Sequence, residues 1–79
     1  SRSEFALNEF ISLKTGEVSD EIHDLTKKAE NLREEIYSIN PFQIENAIKI
    51  SKLEKQLKKT ERKLSILYET LNDIYDISV

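Results

Sequence analysis

Ser38-Ile39-Asn40-Pro41-Phe42-Gln43 is the stretch on which the fold turns. Pro41 has no N–H and disfavours helical geometry at Asn40. Asn-Pro starts turns, and proline suits the first turn of a following helix. A first helix is therefore predicted to end near Ile39, with a turn over 40–43. Pro41 or Phe42 would open the next helix, whose coiled-coil part runs over 44–77.

On both sides of this turn the apolar residues recur every 3.5 positions. Before it stand Val18, Ile22, Leu25, Ala29, Leu32, Ile36 and Ile39. After it stand Ile50, Leu53, Leu57, Thr60, Leu64, Leu67, Leu71 and Ile74. Steps alternating between three and four residues mark the seam of a left-handed coiled coil, whereas a strand would alternate every second residue. A short turn folds neighbouring helices back antiparallel. The predicted fold is all-α, an antiparallel two-helix coiled-coil hairpin, possible as a monomer or as two interlocked chains. Each helix would span roughly 50 Å at 1.5 Å per residue. Folding back would bring Leu53 near Ala29 and Leu32, Leu64 near Val18 and Ile22, and Leu71 near Ile11.

Composition agrees. The 79 residues include one Gly, one Pro and no Cys. That is one small unit, with no disulfide framework or thiolate metal site and too few turn residues for a sandwich or barrel. The apolar runs are triplets such as Phe5-Ala6-Leu7, far short of the ~20 residues that cross a bilayer. The chain reads as soluble, and could be a soluble piece of a membrane protein.

Gly16 is the other punctuation. A glycine inside a helix costs about 1 kcal/mol relative to alanine. Either the helix breaks there and Ser19 caps a new one, or it runs through with a weak spot. Residues 1–16 form an amphipathic extension before helix 1 proper at 17–39. Leu7, Phe10, Ile11 and Leu13 are expected to pack on Tyr68, Leu71 and Tyr75. A membrane-surface helix would want a more basic polar face than Glu4, Glu9 and Lys14 provide.

One seam must offset the ordering entropy of the whole chain. A partner is therefore expected, either a second hairpin or another protein. Ile66, Tyr68, Tyr75 and Phe42 lie partly off the seam, where they would widen it or meet that partner.

Charge divides along the sequence. Residues 1–40 carry five bases against nine acids, and residues 41–79 seven bases against six. All seven of the latter bases lie within 49–63, with Glu54 and Glu61. Lys52, Lys59 and Lys63 fall on one flank of the seam. Lys55, Lys58 and Arg62 fall on the outer face, and the two glutamates on the opposite flank. The acidic first helix and basic second helix could attract each other along their flanks. The basic strip could instead meet an acidic protein surface. Nucleic acid is the weaker reading, because the chain is acidic overall and no aromatics interleave with the bases.

No chemistry is legible. His23 is the only histidine, and Asp20 one turn back would give a metal two ligands, too few for a closed site. Ser19 and His23 lie on a solvated helix surface without an oxyanion hole. There is no Gly-rich phosphate loop, and a two-helix hairpin has no pocket that excludes water. No enzyme, cofactor or small-molecule substrate is expected.

Leu32-Arg33-Glu34-Glu35-Ile36-Tyr37-Ser38-Ile39 and the following Lys49-Ile50-Ser51-Lys52-Leu53-Glu54-Lys55-Gln56-Leu57 resemble the cytosolic coiled coil of the tail-anchored protein insertion receptor. This is the Get-pathway subunit called tryptophan-rich basic protein in animals. The likeness covers about residues 32–64. Lys49, Lys52, Leu53, Glu54, Lys55 and Leu57 fall on the family's basic helix-2 pattern. Ala47 and Ile50 stand where that family often has aromatics, and Lys55 where it usually has arginine.

The resemblance implies a docking hairpin on the cytosolic face of the endoplasmic reticulum, held by membrane segments outside this chain. It would bind the open form of the cytosolic targeting ATPase and promote release of the client. Lys49, Lys52, Glu54 and Lys55 are the partner-binding residues it points to. Phe42 joins them by its position at the turn. Without the resemblance, the same features describe a cytoplasmic oligomerising or tethering segment of a larger assembly.

Overall fold

The computed structural model describes residues 2–78; Ser1, the first residue of the extension, lies outside the described residues. Two helices account for most of the chain, α1 over Arg2–Ser38 and α2 over Asn46–Ser78. They lie side by side in a rod of 65 × 15 × 14 Å. The chain is an all-α helical hairpin.

The predicted seam is the observed one. Val18, Ala29, Leu32, Leu53 and Thr60 are buried, and every other seam position from Ile22 to Ile74 is half-buried. Ile11 and Thr15 extend it toward the amino terminus, both half-buried. With one helix face to cover each seam, no large side chain is fully enclosed. Thr60 turns its hydroxyl back to the Gln56 carbonyl at 2.9 Å, as Thr15 does to Ile11 at 2.8 Å. The polar atom is satisfied within its own helix, and the methyl group is left for the seam. No described side chain carries a buried polar atom without a partner.

The turn is longer than predicted. α2 starts at Asn46, four or five residues beyond Pro41 and Phe42. Polar side chains explain the delay. The Asn40 side-chain oxygen accepts the Phe42 N–H at 2.9 Å, an Asx turn. Gln43 and Ile44 carbonyls then accept the N–H groups of Asn46 and Ala47, each at 3.0 Å. The Asn46 side chain donates to the Asn40 carbonyl and to the Gln43 side-chain oxygen, both at 3.0 Å. These bonds satisfy the loop's main chain without continuing a helix.

A longer loop sets α2 back along α1. Ile11 and Thr15 share a groove with Ile74, Tyr75 and Ser78 rather than with Leu71. Glu21 shares one with Lys63, Ile66 and Leu67. The pairing is displaced by about one helical turn from the predicted one.

Gly16 lies inside α1, which runs through it unbroken. Hence residues 2–14 stay in line with the first helix, and only Ile11 among the apolar side chains there faces α2. Phe5, Leu7, Phe10 and Leu13 are exposed, as are Ile66, Tyr68 and Tyr75. Of the expected packing of the extension, only Ile11 meets a tyrosine, sharing a groove with Tyr75, while Leu7, Phe10 and Leu13 stay exposed and Tyr75 and Ile66 border the seam without being buried in it. Among the described residues, no helix is long and apolar enough to cross a membrane.

Candidate protein-docking surface

The tip of the hairpin is apolar and uncovered. Phe42 and Ile44 are each 92% exposed, and Tyr37 is 87% exposed at the end of α1. Ile48, in the first turn of α2, completes the group. The Asx turn at Asn40 holds the Phe42 backbone, so this aromatic is presented on an ordered loop. Burying one such side chain is worth about 1.5–3 kcal/mol, a gain the isolated hairpin forgoes. Phe42 was legible from its place beside Pro41. Ile44 and Ile48 were not singled out, although both fall off the heptad.

Behind the tip lies the basic strip of α2. Lys49, Lys52, Lys55, Lys58, Lys59, Arg62 and Lys63 are all exposed. Among the described residues none of them closes an ion pair, and no ion pair joins the two helices. Lys14 pairs with Glu17 at 3.4 Å within α1, where Lys14 also sits 5.8 Å above the Phe10 ring. The expected flank attraction is not realised as direct contacts.

Glu54 stands apart from the lysines. It lines a groove with Arg33, Ile36, Tyr37 and Leu57, on the flank that faces α1. Lys49 and Lys52 keep to the opposite flank and Lys55 to the outer face. The five sequence-derived residues therefore form a tip anchor and a basic strip, with Glu54 beside the groove rather than within the strip.

Folding also rearranges the charge. Dividing the paired helices midway, at the level of Leu25 and Leu64, gives a tip half over residues 25–63. It holds ten bases against six acids, a net of +4. The open half, residues 2–24 and 64–78, holds Arg2 and Lys14 against nine acids, a net of −7. Antiparallel helix dipoles largely cancel, so the side chains alone make the hairpin positive at one end and negative at the other.

Among the described residues, no group of three or more His, Asp or Glu side chains is placed to hold a metal ion. His23 is exposed on α1. Compared with family models, curated proteins and solved structures, the chain matches none.

Proposed function

We propose that this hairpin is a docking module. Its apolar tip and the adjoining basic strip bind an acidic protein surface that carries an apolar pocket. The observation that carries the reading is the tip itself: Phe42 and Ile44 stand almost wholly in solvent on a loop held by side-chain hydrogen bonds. Lys49, Lys52 and Lys55 follow it and close no ion pair among the described residues, so their charge is available to steer an acidic surface toward the tip.

The resemblance of residues 32–64 to the insertion receptor names a partner of this kind, the targeting ATPase for tail-anchored proteins at the endoplasmic reticulum. A hairpin acts on such an ATPase only through tighter binding to one of its conformers. In this reading Phe42 enters a pocket present in the open form, the lysines meet acidic residues around it, and the shift toward the open form releases the client.

The test is titration of the purified ATPase, nucleotide-free and nucleotide-bound, with the hairpin and with Lys52→Glu/Lys55→Glu. Binding confined to the nucleotide-free form, and lost in the variant at unchanged helicity, is the expected result. Equal binding by the variant, or none by either hairpin, rejects this partner.

A further inference from the structure

The molecule exposes far more surface than its mass requires. A globular monomer of 9.2 kDa has about 4,900 Å² of accessible surface by the usual scaling, and this chain has 6538 Å². The excess, roughly 1,600 Å², is twice what one partner contributes to an interface of ordinary size.

The excess has a pattern. Most of the large exposed apolar side chains sit toward the two ends of the rod. Tyr37, Phe42, Ile44 and Ile48 are at the tip, and Phe5, Leu7, Phe10, Leu13, Tyr75 and Ile77 lie toward the open end, while Ile66 and Tyr68 stand just past the Leu64 midpoint. Residues 14–36 of α1 and 49–65 of α2 expose none. The charges follow the same axis, +4 in the tip half and −7 in the open half.

We infer that the hairpin pairs with a second copy of itself, side by side and antiparallel, so that the tip of each lies over the open end of the other. A two-fold axis across the rod midpoint makes such an interface closed and self-complementary. It sets each positive half against a negative one. It covers Phe42 and Ile44 with the partner copy's open end, where Phe10, Leu13 and Tyr75 are exposed. The parallel arrangement fails on the same observations, because it places +4 on +4 and −7 on −7, and like-charge juxtaposition costs several kcal/mol. A partner of other composition would have to supply both a negative, apolar site for the tip and a positive, apolar one for the open end. A second copy has both at the right separation.

This inference does not rest on the docking role, and it constrains that role. A dimer covers the tip, so an acidic partner and a second copy compete for Phe42.

Sedimentation equilibrium of the full chain over a dilution series gives the first test, at low and high salt. A dimer is expected whose Kd rises about tenfold or more at high salt, since opposite charges on a surface are screened. Orientation is read with Ser38→Cys at the tip and Ser12→Cys at the open end, both exposed positions in a chain without cysteine. An equimolar mixture treated with a short bis-maleimide should give the mixed Ser38→Cys/Ser12→Cys product, and little of either homodimeric product. A chain that stays monomeric to about 100 μM at low salt, where ordinary interfaces are occupied, overturns the inference. Dominant tip-to-tip cross-linking of Ser38→Cys alone overturns it as well.

Discussion

The side chain of Asn46 donates to the main-chain oxygen of Asn40 across 3.0 Å, joining the first residue of α2 to the residue before Pro41. The same amide also reaches the Gln43 side chain at 3.0 Å. One side chain therefore closes the loop and fixes where the second helix begins.

Replacing it tests this. Asn46→Ala removes both bonds, and a hydrogen bond of this kind contributes about 0.5–1.5 kcal/mol. The unfolding free energy from urea denaturation should fall by that amount and the midpoint with it, with α-helix content almost unchanged. An unaltered midpoint would mean that water replaces the amide without cost.

Ala29 and Thr60 are 1% and 3% exposed, the deepest points of the seam on their respective helices. Their small size lets the backbones approach. Ala29→Leu should therefore destabilise by about 1–3 kcal/mol through overpacking, although leucine is the usual seam residue. A gain in stability would show that the site has slack, and the same denaturation experiment decides.

Gly16 lies within α1, and a Cβ added there meets nothing within 4 Å. Gly16→Ala should stabilise by about 0.5–1 kcal/mol, because alanine loses less backbone freedom on entering a helix. The gain would appear as a raised Tm. A loss would indicate that the residue's freedom is used in a state other than the continuous helix.

Phe42 is the residue to change without disturbing the fold. At 92% exposure it contributes little to the fold of a single hairpin, so at concentrations where the chain is monomeric Phe42→Ser should move stability by no more than about 0.5 kcal/mol. Binding to an acidic partner should fall about tenfold or more, the behaviour of an aromatic anchor. Calorimetry on the folded variant separates the two effects. Retained affinity would remove the tip from the docking surface.

Much of the hairpin was legible in the residues. The 3.5-residue recurrence from Val18 to Ile39 and from Ile50 to Ile74 named the side chains that are shielded here, because only a stripe of that period stays facing one neighbouring helix. Phe42 and the bases of 49–63 were legible as exposed features for the same reason, lying off the stripe. The start of α2 was not. It depends on Asn40, Gln43 and Asn46 meeting across the loop, and proline's preference for a helix's first turn did not anticipate those bonds. The packing of residues 4–14 was also misplaced. A glycine permits a break without requiring one, and an unbroken α1 carries Phe10 and Leu13 away from α2.

Local rules thus settled the two helices and the seam, though not the first residue of α2: heptad spacing decides which face of each helix leaves water, and Asn40-Pro41 decides where the chain turns. Tertiary structure decided the rest. In sequence the two halves differ modestly, −4 and +1. Folding sets the bases of 49–63 beside residues 25–40 and the acids of 4–24 beside those of 69–76, giving a rod with +4 at its tip and −7 at its open end. Charges far apart along the chain act together only when a turn brings their helices side by side, and the loop length sets which ones meet.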